Sequence, residues 1–251
     1  MDLQLTGKTA LISGSSKGIG LSIAKYLHKE GCNVILNGRH SIILKEISNS
    51  LGSRSSYFVA DMTKTIECTK LVKHTIKTFG NIDILVCNVG DGSSPKPGKE
   101  QISDWQKMLD INLNSSINLI NSSLSSLKKT SGSIVCISSI AGIETTDAPI
   151  PYSVAKSALN SYVKNISKPL ANFGIRINAV APGNILFKDS IWEKKLAKNK
   201  TKVLDMISKK VPMNRFGTSD EIASVVTFLS SPLSSFTTGN ILIADGGQVK
   251  S

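Results

Sequence analysis

Residues 8–31 read KTALISGSSKGIGLSIAKYLHKEG, and this stretch decides the fold class. The apolar run at 8–13 predicts a short buried strand, and apolar residues at helical spacing after residue 20 predict a helix that ends at Gly31. The glycines between them have the spacing G-x-x-x-G-x-G. Glycines allow another molecule to approach the backbone closely, and a helix N-terminus attracts anions. The stretch therefore predicts a phosphate-binding turn.

The same turn also fits a different motif. Residues 14–18, GSSKG, match G-x-S-x-G, the nucleophile elbow of α/β-hydrolases. That elbow normally follows several strands, and its histidine comes late in the chain. Here the turn follows the first strand and the last histidine is His74, so the sequence disfavours a hydrolase.

Apolar runs alternate with helical patterns along the rest of the chain. Further strands are predicted at 33–37, 57–60, 82–87, 133–138, 174–180 and 240–244. Helices are predicted at about 41–51, 63–79, 101–127, 152–172, 188–211 and 219–230. This alternation predicts an α/β fold in which a parallel sheet lies between two layers of helices. Because no repeat or domain-sized linker appears, we expect one domain, 1–251.

The composition is that of an ordinary globular protein, with 40% hydrophobic and 19% charged residues. No apolar run reaches the ~18 residues of a membrane span, and no signal peptide is visible. The four cysteines and three histidines show no metal-ligand spacing. We therefore expect a cytoplasmic protein with no membrane association and no structural metal.

The net charge of +12 suggests two interpretations. It could mark an acidic partner such as nucleic acid, anionic lipid or an acidic carrier protein. It could also reflect lysines spread over the surface. Aromatic residues make up only 5% of the chain, too few for a base-stacking platform, so we expect no nucleic-acid partner.

Residues suited to proton transfer occur after the predicted fifth strand. Tyr152 and Lys156 lie four apart on a predicted helix and share one of its faces. A neighbouring cation is expected to lower the tyrosine pKa into a useful range. Ser139, just past the apolar run, offers a hydroxyl group. Together the three residues could bind a carbonyl oxygen and give it a proton.

The end of the second predicted strand bears on the choice of cofactor. An acid there would bind a ribose 2′-hydroxyl, whereas an arginine suits a 2′-phosphate. The strand ends in Gly38-Arg39-His40, and Lys17 in the glycine turn adds a second cation. The sequence therefore favours NADP(H) over NAD(H).

Two polar residues allow two interpretations each. Asp61 follows the third predicted strand, and it is either the N-cap of the next helix or an adenine contact. Asn112 lies in the middle of a predicted helix, where asparagine lacks propensity support. It is either a satisfied polar core residue or part of a site.

Taken together, these motifs resemble the short-chain dehydrogenase/reductase family across essentially the whole chain. The matching residues are Gly14, Gly18, Ile19, Gly20, Asp61, Asn88, Gly90, Asn112, Ser139, Tyr152, Lys156, Pro182 and Gly183. The closing segments R-F-G-x-x-x-E-I-A (215–223) and D-G-G (245–247) are most similar to the branch that contains 3-oxoacyl-[acyl-carrier-protein] reductases.

The resemblance implies a seven-stranded Rossmann-type sheet in a homotetramer, and a catalytic tetrad of Asn112, Ser139, Tyr152 and Lys156. Tyr152 would be the acid/base, Ser139 would bind the substrate oxygen, Lys156 would hold the nicotinamide ribose and depress the Tyr152 pKa, and Asn112 would position a water. The expected cofactor contacts are Gly14, Ser15, Ser16, Lys17, Gly18, Ile19, Gly20, Arg39, Asp61, Met62, Asn88, Gly90, Tyr152, Lys156, Pro182, Gly183 and Ile185.

The sequence departs from the family pattern at three places. Ser13 ends the first strand, where threonine is usual. Residues 87–90 read CNVG rather than the common NNAG. Phe187 stands where a threonine often follows the Pro-Gly pair, which removes one expected cofactor hydrogen bond.

The sequence leaves the substrate open. A lysine-rich helical insertion at about 184–212 is expected to form a substrate lid, either receiving an acidic acyl-carrier protein or presenting a solvated face. The first interpretation favours a 3-oxoacyl thioester. Glu144 and Asp147 would suit hydroxyl groups and favour a sugar, polyol or other small ketone. A catalytically silent nucleotide-binding scaffold is a further alternative, although the intact tetrad disfavours it.

Overall fold

The centre of the computed structural model is a parallel β-sheet. The strands are β1 Thr9–Ile12, β2 Asn33–Gly38, β3 Ser55–Val59, β4 Ile84–Cys87, β5 Ser133–Ile137, β6 Arg176–Pro182, β7 Ile185–Leu186, β8 Gly217–Thr218 and β9 Ile241–Ala244. Within the described residues, 2–95 and 97–250, seven strands form this sheet in the order β3-β2-β1-β4-β5-β6-β9. The short β7 and β8 pair separately. The predicted seven-stranded α/β fold is confirmed, while Met1, Lys96 and Ser251 of the predicted domain lie outside the described residues.

Helices cover both faces of the sheet. They are α1 Gly18–Lys29, α2 Ser41–Leu51, α3 Thr65–Phe79, α4 Ile102–Leu109, α5 Ser115–Thr130, α6 Ile150–Ala171, α7 Ile191–Lys198, α8 Lys200–Lys210 and α9 Ser219–Ser230. Among the helices of the described ranges, none is long and apolar enough to cross a membrane.

Each strand of the sheet interior contributes to two hydrophobic cores. In β1, Leu11 packs into the core that contains residues of α3, α5 and α6. Its neighbours Ala10 and Ile12 pack into the opposite core, with residues of α1 and α9. Because both faces are covered, these strands are apolar throughout rather than alternating with polar residues.

Element boundaries differ from expectation at several points. Helix α1 begins at Gly18, inside the glycine turn. The single helix predicted at 101–127 is interrupted by a π-helical turn, Asp110–Asn114. The insertion contains two helices, because the Asn199 side chain caps α8 by accepting a hydrogen bond from the Lys202 amide at 3.0 Å.

The strand order places the site. Strand β1 lies beside β4, and α1, which follows β1, packs on the opposite face of the sheet from α5, the second helix after β4. In such sheets a crevice opens at the carboxyl ends of these strands, where ligands bind. The segments that follow β1, β4, β5 and β6 all begin at this edge.

Candidate active site

The glycine turn after β1 is joined to the end of β2. The Ser15 amide donates to the Asn37 oxygen at 2.8 Å, and the Ser15 hydroxyl accepts from the Asn37 amide at 2.9 Å. Gly14 N donates to Asn37 Oδ1 at 3.3 Å, and Asn37 Nδ2 donates to the oxygens of Phe58 and Ala60. The buried Asn37 side chain thus joins the glycine turn to the end of β3.

Asn88, after β4, holds the turn from the other side. Its Nδ2 donates to the oxygens of Ser13 and Gly14 at 3.0 and 2.9 Å. A Cβ at position 20 would lie 2.4 Å from this nitrogen, so Gly20 is required. The Ser13 hydroxyl accepts from the Asn88 amide at 3.0 Å, so the serine found here in place of threonine still supplies a hydrogen bond.

The start of α1 suits an anion. Lys17 precedes the helix without a side-chain cap, and the first turn has no acidic residue. The first amides of a helix, here those of Gly18, Ile19 and Gly20, have no intrahelical acceptor. Phosphate oxygens can accept from such amides and are favoured by the helix dipole. The turn therefore fits the diphosphate of a dinucleotide.

The ring of Phe187 packs on this turn. Gly18 has φ +54°, and a Cβ added there would lie 2.5 Å from Phe187 Cε2. The residue that departs from the family pattern thus contacts the turn predicted to bind the diphosphate, through an aromatic face rather than a hydroxyl.

The two cations predicted to select the cofactor lie at one corner of the site. The two chain segments that carry them are close together, since a Cβ at Gly38 would lie 3.4 Å from the Ser16 hydroxyl oxygen. Lys17 and Arg39, which follow Ser16 and Gly38, are both exposed.

Asp61 and Met62 lie after β3. Asp61 is not the N-cap of α3, since Lys64 has that position. Asp61 Oδ1 instead accepts from both the amide and the hydroxyl of Thr63 at 2.9 Å. The Met62 side chain is buried in the core, which leaves its backbone as the part able to contact a cofactor.

Asn112 lies in the π-helical turn and is fully buried. Its Nδ2 donates to the oxygens of Asp91 and Met108 at 2.9 and 3.1 Å, and its Oδ1 accepts from the Asp91 amide at 3.0 Å. A Cβ at Gly90 would lie 3.1 Å from Oδ1. π-Turns are frequent at functional sites, and this one brings Asn112 to the loop after β4.

The other three tetrad residues meet between β5 and α6. The Ser139 side chain lies close enough to the Tyr152 hydroxyl to favour its phenolate form. Lys156 Nζ lies 5.8 Å from the Tyr152 ring centroid and donates to the Ile137 oxygen at 2.8 Å. A Cβ at Gly142 would lie 2.6 Å from the Lys156 carbonyl carbon, so this glycine allows the segment after Ser139 to approach α6.

The protonation of these groups differs from the expected pattern. Burial raises the pKa of Tyr152, the Ser139 hydrogen bond opposes this, and the charge of Asp91 adds to the rise. Burial lowers the pKa of Lys156 to about 8. Lys156 is not among the groups that shift the Tyr152 pKa, because burial dominates and the ammonium donates to the Ile137 oxygen; the depression of that pKa by Lys156 stays a prediction.

Asp91 was not among the predicted site residues. The only sequence signal was an acid placed directly after Asn88-Val89-Gly90, where a predicted strand ends.

The residues after β6 complete the site at the carboxyl ends of the strands. Strand β6 continues through Pro182, two residues beyond its predicted end at residue 180, and Gly183 N donates to the Ala244 oxygen at 3.0 Å. A Cβ at Gly183 would lie 2.7 Å from Asp245 Cβ. Ile185 is buried and pairs with Gly217, so its backbone is the part available to a cofactor.

The two acids considered as substrate ligands already have partners. Glu144 Oε1 accepts from the Lys250 amide at 2.8 Å, and Asp147 forms an ion pair with Lys210 of α8. These contacts connect the segment after Ser139 to the C-terminal residues and to the insertion. They do not support binding of substrate hydroxyls by Glu144 and Asp147.

Comparisons with known proteins agree over nearly the whole chain. A family model described as Enoyl-(Acyl carrier protein) reductase matches residues 14–248. The 3-oxoacyl-[acyl-carrier-protein] reductase FabG of Rickettsia prowazekii (strain Madrid E) is 36% identical over 248 residues, covering 98% of this chain and 99% of the relative. Glucose 1-dehydrogenase 2 of Bacillus subtilis (strain 168) is 32% identical over 253 residues, covering 97% and 95%.

Solved structures give the same result. The L-sorbose reductase of Gluconobacter frateurii, complexed with NADPH and L-sorbose, superposes with a TM-score of 0.94 at 29% identity and full coverage of both chains. The chain therefore belongs to the short-chain dehydrogenase/reductase family and is an oxidoreductase that uses a nicotinamide cofactor.

Proposed function

We propose that the protein catalyses NADP(H)-dependent reduction of a ketone to a secondary alcohol, with a 3-oxoacyl thioester as its substrate. The observation that carries this proposal is the convergence of the Ser139 and Tyr152 side chains beside Lys156, whose Nζ lies 5.8 Å from the Tyr152 ring centroid. These groups lie at the same sheet edge as the uncapped start of α1.

The proposed mechanism assigns one task to each residue. A nicotinamide held at this site would supply the hydride. Ser139 donates a hydrogen bond to the substrate oxygen, and Tyr152 gives its proton to that oxygen as the carbonyl carbon is reduced. Lys156 binds the nicotinamide ribose. The role of Asn112 in positioning a water stays a prediction, because its amide binds Asp91 and Met108 in the structure.

The preference for NADP(H) rests on charge. Arg39 and Lys17 are exposed at one corner of the site, and no acid follows β2 to bind a ribose 2′-hydroxyl. An arginine binds a phosphate through charge-assisted hydrogen bonds. NADPH in the L-sorbose reductase neighbour is consistent with this assignment.

The thioester assignment rests on the relatives and on the insertion. Several relatives, including those from Rickettsia prowazekii and Aquifex aeolicus, are named 3-oxoacyl-[acyl-carrier-protein] reductase. In the described part of the chain, no carboxylate forms an ion pair with Lys188, Lys194, Lys198, Lys200 or Lys202. We propose that helices α7 and α8 cover the substrate and offer these lysines to an acidic acyl-carrier protein.

A small keto sugar is the second candidate substrate. The observation that favours it is the full-length similarity to the L-sorbose reductase complex.

The test follows NADPH oxidation with an acetoacetyl thioester, an enoyl thioester and a panel of keto sugars. We expect the acetoacetyl thioester to have the highest kcat/KM. A keto sugar preferred over the thioester would select the second candidate. Saturable NADPH binding without oxidation by any of these substrates would contradict the proposed function.

A further inference from the structure

Asp91 is held in place by a residue of the predicted tetrad. It follows Gly90 in the loop after β4, and its amide and carbonyl groups both bind the Asn112 side chain, at 3.0 and 2.9 Å. Because Asn112 is buried in the π-helical turn, the backbone of Asp91 is fixed relative to the site.

The glycines on either side of Asp91 contact the reacting groups. A Cβ at Gly90 would lie 3.3 Å from Lys156 Nζ, and a Cβ at Gly92 would lie 3.9 Å from Tyr152 Cδ2. Asp91 therefore lies in a short segment packed against both side chains. The effect of its charge on Tyr152 agrees with this placement.

Within residues 2–95 and 97–250, the Asp91 carboxylate has no counter-ion. Asp91 is half-buried, its Oδ1 accepts from the Ser93 amide at 2.9 Å, and none of the ion pairs of residues 2–95 and 97–250 includes it. A partly buried carboxylate without a cation is costly to maintain. At the edge of a reaction site, such a group acts on the charge of whatever binds beside it.

We propose that Asp91 is a specificity-determining residue, whose carboxylate admits substrates that are uncharged around the carbonyl group and rejects those with an anionic group close to it. This inference rests on the proposed carbonyl reduction. Like charges repel strongly where solvent screening is reduced. In a 3-oxoacyl thioester the acyl group carries no charge, whereas the free 3-oxo acid places a carboxylate two bonds from the ketone. Asp91 thus distinguishes the carried substrate from the hydrolysed acid.

A matched pair of substrates tests the proposal. Ethyl acetoacetate and acetoacetate contain the same ketone and differ in the charge of the neighbouring group. We measure kcat/KM for both with NADPH at neutral pH, in the unaltered protein, in Asp91→Asn and in Asp91→Glu. The control, Glu100→Gln, removes the same charge from the same loop.

We expect Asp91→Asn to lower the ratio of ester to acid by about tenfold or more, mainly through faster reduction of acetoacetate. Asp91→Glu and Glu100→Gln should keep the original ratio. An unchanged ratio in Asp91→Asn, with the ester still reduced, would overturn the role of Asp91 and leave the proposed function intact. Reduction of neither compound, nor of an acetoacetyl thioester, by the unaltered protein would instead contradict the proposed function, and the role of Asp91 with it.

Discussion

Lys156 donates a hydrogen bond from Nζ to the backbone oxygen of Ile137 over 2.8 Å. This contact holds a buried ammonium at the end of β5, one helical turn from Tyr152. Burial lowers the pKa of Lys156 from 10.5 to about 8. Burial of the charged Lys156 side chain therefore lowers the free energy of unfolding, in addition to the role of this residue in the site.

Because this cost depends on whether Lys156 is charged, the free energy of unfolding depends on pH. Between about 8 and 10.5 the unfolded chain binds more protons at Lys156 than the folded one, so the free energy of unfolding rises with pH in this window. We expect Lys156→Met to raise the free energy of unfolding by about 1–2 kcal/mol at pH 7. This value already subtracts the stabilisation that is lost with the hydrogen bond to Ile137. This gain should disappear as the pH rises through the window between about 8 and 10.5. Urea denaturation measures both values, with the exposed Lys25→Met as control; a loss of stability at pH 7 would contradict the expectation.

Gly18 and Phe187 should be energetically coupled. We expect Gly18→Ala to lower the free energy of unfolding by about 1–3 kcal/mol, since alanine is strained at φ +54° and its methyl group would meet the Phe187 ring. Adding Phe187→Ala to Gly18→Ala should recover the part of the stability lost to the steric clash, but not the part lost to backbone strain. Denaturation of both single variants and of the double variant measures the coupling. Strictly additive losses would show that the ring does not press on the turn.

Cofactor preference should follow Arg39. We expect Arg39→Asp to weaken NADPH binding about tenfold to hundredfold. The variant loses a charge-assisted contact with the 2′-phosphate and places an acid beside it. NADH binding should change much less. Fluorescence titration of both cofactors measures this, and Lys25→Asp, on α1 and away from the end of β2, is the control with the same charge change. Tighter binding of NADH than NADPH by the unaltered protein would refute the assignment.

The sequence predicted those parts of the structure that local pattern determines. The glycine spacing at 14–20 and the alternation of apolar runs indicated the strand-turn-helix start and the parallel sheet, because burial on both faces makes these strands uniformly apolar. Asn112 was identified as unusual, yet its π-helical turn depends on hydrogen bonds to Asp91 and Met108, one of which crosses to another segment.

Features that depend on burial and on distant packing were less accessible to sequence reasoning. The helical spacing of Tyr152 and Lys156 suggested a lowered tyrosine pKa, whereas burial raises it. The contact of Phe187 with Gly18 joins positions far apart in the chain, and so does the influence of Asp91 on Tyr152. The homotetramer, the cytoplasmic location and the lid role of 184–212 stay predictions.

The most direct measurement is NADPH oxidation by Tyr152→Phe with an acetoacetyl thioester, together with NADPH binding by the same variant. Removing the phenol hydroxyl removes the proton donor but keeps the ring, so we expect turnover to fall about 10²–10⁴-fold while NADPH affinity stays close to that of the unaltered protein. Turnover equal to that of the unaltered protein would contradict the account.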